Sequence, residues 1–366
     1  MNILYYALPC FLYNIESSKY CASHLNALLS YNNSSCFNST IIKENIISTS
    51  HLDSEYFNAA PHIELLDFSL DNKKSLIEYI DKNKINIYHC FHNGFSLTNN
   101  DNVKKVSTIY TTLPLFFSEY IDSNYKNLYL ARLDKTIKFS DNIIVPYNFM
   151  KTDLCNYFSL NSDLIEVIPP SISFDLLGRS KALSRTYVKG KFNIYKDYYI
   201  YVGEINSRNT LIDTIKLFNS YSRINDSILI LALTYLPKNK NIYIDLVKYI
   251  DSINLSSNVV FLNNLSYIDI IDLINGSICF INLNPCNELN LTSLYALFLK
   301  TKILAYQNQS NLEYLEDYPI YISDLNHGFN IDTSNYELLN DYEILDIANK
   351  FNPNLILDSL LDVYNL

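Results

Sequence analysis

Glycine is scarce in this chain, at six among 366 residues. None falls in Asn14-Ile15-Glu16-Ser17-Ser18-Lys19, shortly after the first predicted strand. That excludes a glycine-rich loop there, the device that lets backbone approach a phosphate closely. Positive charge is also in short supply: Lys and Arg number 28 against 38 Asp and Glu, a net charge of −10. Such a balance argues against nonspecific nucleic-acid binding, and no RNA- or DNA-binding signature offsets it. Nucleic acid is therefore not an expected partner. The seven cysteines (10, 21, 36, 90, 155, 279 and 286) form no CxxC and no metal-like spacing. An odd count in mostly apolar runs speaks for buried, reduced thiols rather than a disulfide framework. No apolar run approaches the roughly 20 residues needed to cross a bilayer. Residues 1–13 carry neither a basic n-region nor a small-residue cleavage site. Ile3-Leu4-Tyr5-Tyr6 thus reads as a first core strand, and the expected location is cytoplasmic.

What is present is a globular composition, 48% hydrophobic and 18% charged, long enough for two domains of about 150–180 residues each. The first half alternates strands and helices. Strands are predicted at 2–7, 85–90, 106–110, 142–146 and 165–168, and helices at 17–30, 74–82, 124–139 and 148–158. Residues 31–73 show no regular pattern. The alternation restarts with a strand at 198–202 that closes on Gly203. Helices at 210–222, 240–252 and 267–275 and strands at 227–233 and 258–262 follow, and a later strand at 318–322 precedes a helical C-terminus broken at Pro353. Alternation of this kind implies parallel sheets covered by helices. The expected class is α/β, with two Rossmann-like, doubly wound domains facing across a cleft. The expected divisions are 1–170, 171–196, 197–340 and 341–366, the last a pair of helices able to pack back on the first domain. Between the domains, Arg179, Lys181, Arg185, Lys189, Lys191 and Lys196 occur without an acid among them. A solvated linker is one reading of 171–196. Contact of 179–196 with a phosphate or an anionic membrane surface is the other.

The most informative stretch is Asn284-Pro285-Cys286-Asn287-Glu288-Leu289-Asn290-Leu291-Thr292-Ser293-Leu294-Tyr295-Ala296-Leu297, between the apolar runs 277–281 and 302–306. It reads as strand, polar turn, helix and strand. In such units anions settle where the strand end meets the helix N-terminus, because N–H groups there lack intrahelical partners. Glu288, with hydroxyls at Thr292 and Ser293, is suitable equipment for a sugar nucleotide. Two carboxylate pairs, Glu313/Glu316 and Asp269/Asp272, read as solvated helix faces.

Four segments together resemble the retaining nucleotide-sugar glycosyltransferases of glycosyltransferase family 4. They are Tyr88-His89-Cys90-Phe91-His92-Asn93-Gly94; Val106 to Leu115 with Ser118-Glu119-Tyr120; Ser140 to Val145 running on to Ile165-Glu166-Val167-Ile168-Pro169; and Tyr201-Val202-Gly203-Glu204-Ile205-Asn206-Ser207-Arg208-Asn209 with the 277–306 unit. The resemblance implies the GT-B fold, a nucleoside-diphosphate sugar held mainly by the C-terminal domain, and the acceptor on the N-terminal side. Acceptors of the class are glycans, lipid-linked sugars or proteins. It implies Arg208 on the leaving diphosphate, by bidentate contact. His92 would bond a sugar hydroxyl, whereas His89 reads as a core histidine. Glu288 completes the catalytic set. Gly203, Asn209, Asn287, Asn290, Leu291, Thr292, Ser293 and Tyr295 form the donor-binding set. If Ala296 is aligned, Asn287 and Tyr295 stand where the family has two glutamates, and a shift of one residue restores Glu288 as the first. Tyr110 stands where a histidine is frequent. No Asp-x-Asp triplet occurs, so neither a metal nor another cofactor is expected. Two further readings remain: a catalytically weakened subunit that stabilises a partner transferase, motivated by the missing glycines and second acid, and a sugar-nucleotide epimerase on the same plan.

Overall fold

The computed structural model describes residues 1–11, 16–32, 38–43, 63–67, 73–95, 97–205, 210–222, 226–234, 240–322 and 339–366. The chain divides into two units, Met1–Ile172 with Lys350–Leu366, and Ser173–Asn349. Each is built on one parallel sheet.

In the first unit the strands are β1 (Asn2–Tyr6), β2 (Asn38–Lys43), β3 (Ile63–Asp67), β4 (Ile87–Cys90), β5 (Lys104–Thr108), β6 (Asn142–Val145) and β7 (Ile165–Val167). Their order is β3-β2-β1-β4-β5-β6-β7, every pair parallel. Strands covered on both faces are apolar throughout rather than alternating, and β4 accordingly is buried at all four positions. Both strands in 31–73 lie outside the predicted pattern. The C-terminal helix Pro353–Tyr364 contacts the helix Glu16–Asn32 of this unit. The helical C-terminus is interrupted as expected: one helix ends at Asn349 and Pro353 opens the next, at a first-turn position where its missing N–H costs nothing.

The second unit carries β8 (Asp197–Glu204), β9 (Ser227–Thr234), β10 (Val259–Leu262), β11 (Cys279–Asn282), β12 (Lys302–Tyr306) and β13 (Ile320–Ile322). The order is β10-β9-β8-β11-β12-β13, again all parallel. A core of Tyr199, Ile215, Phe218, Leu229, Leu231, Ile281 and Leu304 packs helices against this sheet. In both units the order reverses beside the first strand, at β1/β4 and at β8/β11. That is the doubly wound pattern, whose ligand crevice lies at the strand C-termini at the reversal.

The basic stretch is not an open linker. Ser180 caps a helix, Lys181–Phe192, that packs along the helix Tyr267–Gly276. Asp269 and Asp272, read from sequence as a solvated face, are both buried. Spaced three apart on a helix, they share one face, and the basic stretch covers it. Arg179 grips Asp272 through two bonds, Nε at 2.9 Å and an Nη at 2.6 Å, and Ser184 adds a third at 2.6 Å. Lys191 and Tyr187 both donate to Asp269, at 2.7 and 2.8 Å. Burial alone would raise the Asp269 pKa, but the bonds from Lys191, Ser266 and Tyr187 outweigh it and hold the carboxyl low. Arg185 and Lys196 pair with Asp197 and Asp226. The charge of this segment is thus largely compensated where it stands. An acid-free basic run implies acidic partners elsewhere, and that signal could have located them.

Candidate functional site

Because β8 and β11 are neighbours in register, Tyr199 opposite Cys279 and Ile200 opposite Phe280, the segments that follow them leave the same edge of the second sheet. β8 runs two residues further than predicted. Gly203 therefore lies inside the strand, paired with Leu233, rather than in a turn. A Cβ there would sit 2.6 Å from the Tyr201 hydroxyl, which explains glycine without invoking a ligand. Arg208 and Asn209 lie outside the described residues.

After β11 the chain crosses residues 283–290 and enters the helix Leu291–Phe298. Asparagines organise this crossing. Asn290 precedes the helix, but its side chain makes no capping bond. Its Oδ1 instead accepts from the Asn282 amide at 2.7 Å and from the Ser293 hydroxyl at 2.6 Å. Its amide donates to Asn311 Oδ1. Glu288, half-buried, accepts from the Asn284 amide at 2.8 Å. Asn287 exchanges two bonds with Gln309, one to the backbone N–H at 2.9 Å and one to the side chain at 3.1 Å.

Asn287, Glu288, Asn290 and Ser293 are therefore brought together, as the sequence suggested. The hydroxyls are not displayed as expected: Thr292 and Ser293 are both buried, and Ser293 is turned inward to Asn290. Leu291 and Tyr295 are core residues, the Tyr295 ring standing edge-on to Tyr267 with centroids 5.6 Å apart. Leu291 can serve a ligand only through its backbone. Residues 277–299 contain no Lys or Arg, so a cation for a diphosphate has to come from elsewhere. Sequence reasoning missed Asn282, Asn284, Asn308, Gln309 and Asn311. The run Gln307-Asn308-Gln309-Ser310-Asn311 was a visible signal, hidden by the high Asn content of the whole chain.

In the first unit, β4 ends in a turn that carries His92. Asn93 and Gly94 both have positive φ, +49° and +68°. A side chain at Gly94 is excluded, because its Cβ would fall 2.1 Å from Thr136 Oγ1. That hydroxyl donates to the Asn93 carbonyl at 3.2 Å, and Asn93 Oδ1 accepts from the Tyr110 N–H at 3.0 Å. The turn holds His92 half-buried, its ring 5.0 Å from Phe95. Burial lowers the His92 pKa to about 4, so near neutral pH the imidazole is uncharged. Its Nδ1 is buried and finds no hydrogen-bond partner among the described residues. His89 is a core residue, set between the hydroxyls of Tyr364 at 2.6 Å and Thr108 at 2.7 Å. Among the described residues, no group of three or more His, Cys, Asp or Glu could hold a metal ion.

Residues 50–176 match the family model Glycosyltransferase Family 4. Over that segment the chain resembles this family, and its fold is GT-B. A glycosyltransferase from Rickettsia africae covers 99% of the chain with 97% of its own, at 16% identity and a TM-score of 0.70. Anabaena HepE, solved in complex with UDP and glucose, covers 100% with 99% of its own, at 12% identity and 0.77. Sucrose-phosphate synthase from Thermosynechococcus elongatus covers 100% with 98% of its own, at 13% identity and 0.77. No curated protein matches the chain. These likenesses establish the two Rossmann-like units of the GT-B fold. None of the described helices is long and apolar enough to cross a membrane.

Proposed function

We propose that this chain is a retaining glycosyltransferase that moves a sugar from a nucleoside-diphosphate donor to a hydroxyl of a glycan, glycolipid or glycoprotein. The observation that carries the reading is the β8/β11 reversal, where a polar loop and a helix N-terminus stand at the strand ends of a sheet in a GT-B chain. A departing nucleoside diphosphate gains negative charge. Donors preorganised at that position stabilise the transition state more than the ground state. Arg208 supplies the cation, with the first turn of the helix Leu291–Phe298 supplying N–H groups and dipole. Glu288 accepts from sugar or ribose hydroxyls, and Asn209 lies within the same donor-binding segment. On the first unit, the neutral His92 imidazole bonds a hydroxyl rather than acting as a charged group. No metal is part of this reading.

A second reading is favoured by one observation: Asn287, Asn290 and Ser293 are occupied by internal hydrogen bonds, and the 277–299 segment carries no cation. It is a weakened family member that stabilises an active partner transferase. Isothermal titration with uridine and guanosine diphosphates, then donor hydrolysis across a panel of nucleotide sugars, separates the two. Binding that Arg208→Ala weakens tenfold or more, as loss of one charged hydrogen bond entails, supports the transferase. A folded protein that binds neither nucleotide supports the subunit. Glu288→Gln is expected to lower turnover while leaving the fold intact, and wild-type turnover in that variant removes Glu288 from the site.

A further inference from the structure

The 284–290 loop makes bonds of its own, Asn284 to Glu288 and the Cys286 N–H to Asn284, and it is also held from outside. Asn308, in the segment after β12, does this. Its side-chain amide donates to two loop carbonyls, Asn284 at 2.9 Å and Cys286 at 3.1 Å. Its Oδ1 simultaneously caps the next helix, Gln309–Leu315, by accepting from the Asn311 N–H at 2.8 Å, and takes the Ser310 hydroxyl at 2.9 Å. One carboxamide therefore begins a helix with its oxygen and grips a loop with its nitrogen.

Two neighbours complete the grip. Asn311 is buried, with its amide on the Tyr306 carbonyl at 2.7 Å and its Oδ1 accepting from Asn290. Gln309 holds Asn287 from both backbone and side chain. Asn308, Gln309 and Asn311 thus fix the loop at Asn284, Cys286, Asn287 and Asn290. Because β11 and β12 are adjacent and parallel, loop and clamp stand on the same edge of the sheet.

We propose that Asn308, seconded by Asn311, is a positioning residue for the nucleotide-sugar site, setting the 284–290 loop before the donor arrives. A loop already ordered loses less conformational freedom on binding, so preorganisation appears as affinity. The inference rests on the reading that this loop binds the donor.

The oxygen and nitrogen roles of Asn308 are separable. Asn308→Ser and Asn308→Asp both keep an oxygen suited to capping a helix, and both remove the donors to Asn284 and Cys286. The expected result is a thermal midpoint lowered less than by Asn308→Ala, faster amide exchange across 284–290 in the free protein, and a tenfold or greater loss of affinity for whichever of UDP or GDP the wild type binds. KM for the nucleotide sugar rises more than kcat falls. Asn308→Ala, which also loses the cap, lowers the midpoint as well. Unchanged affinity and unchanged loop exchange in both Asn308→Ser and Asn308→Asp overturn the inference alone, whereas a wild type that binds no nucleoside diphosphate overturns the transferase reading and this role with it.

Discussion

Asn290 and Asn282 face each other at 2.7 Å, amide to carbonyl oxygen, across the mouth of the loop that leaves β11. Asn290 therefore spends its side chain on the loop and not on the helix it precedes. An Asn in this position ordinarily accepts from the first helical turn. Asn290→Ala removes the acceptor of the Ser293 hydroxyl and the donor to the buried Asn311 Oδ1, and leaves the Asn282 amide only Ser293 Oγ at 3.1 Å. The expected cost is about 1–3 kcal/mol, read as a lower urea midpoint with an unchanged slope.

The pair of half-exposed Arg179 and buried Asp272 fastens the start of the helix Lys181–Phe192 to the helix Tyr267–Gly276. Asp272→Ala removes the guanidinium's partner and the acceptor of the Ser184 hydroxyl, which keeps the Asn275 amide at 2.9 Å. Removing one partner of a fully buried pair costs roughly 3–5 kcal/mol. Arg179 keeps about a third of its side chain in solvent, so the expectation is discounted to about 2 kcal/mol. Equilibrium denaturation measures it. A loss below the error of that measurement means the pair holds nothing together.

Stability falls on mild acidification. Burial lowers His24 and His92 from 6.5 to about 4, and His89 lies well below its ordinary value for the same reason. Between 6.5 and about 4 the unfolded chain takes up protons that the folded chain refuses, so unfolding becomes easier as pH drops through that window; the contributions of His24 and His92 level off below it, while that of His89 continues to lower pH. His24 alone contributes on the order of 3 kcal/mol at the lower end. Asp269 acts in a different window. Its folded pKa is depressed, so its contribution is present above the unfolded carboxylate value of 3.8 and disappears as pH falls below that. In His24→Gln, which can still donate to the Pro169 carbonyl that His24 Nε2 contacts at 2.8 Å, the slope above pH 4 is shallower. An identical slope contradicts the assignment.

Gly94→Ala tests the His92 turn. The substitution meets both a left-handed backbone and the Thr136 side chain, and is expected to cost about 2 kcal/mol or more. Thr136→Ala removes most of the collision but not the backbone strain, so the double variant recovers only part of the loss. Full recovery means that φ at this position imposes no penalty.

The alternation of apolar runs made both sheets legible from β4 onward, because strands buried on two faces read as continuous apolar segments. β2 escaped notice because Asn38-Ser39-Thr40 opens it, although Ser39 and Thr40 are buried. β5 begins two residues before its predicted start, at Lys104 and Lys105. Those residues read as polar, yet Lys105 is buried with an ion pair to Asp101 and Lys104 reaches the Val363 carbonyl. At the candidate site, the loop at 284–290 was visible through its polarity and the helix that follows. The clamp was not, since Asn308 and Asn311 act across a strand and a loop, a relationship that depends on which strands are neighbours. The burial of Asp269 and Asp272 was hidden for the same reason: helical spacing shows that they share a face but not what covers it.

Amide exchange with and without saturating UDP or GDP tests the central claim most directly. Nucleotide binding at the second unit predicts slowed exchange across 284–295, centred on the first turn of the helix Leu291–Phe298. Slowing confined to other segments, or no nucleotide binding by the folded protein, contradicts it.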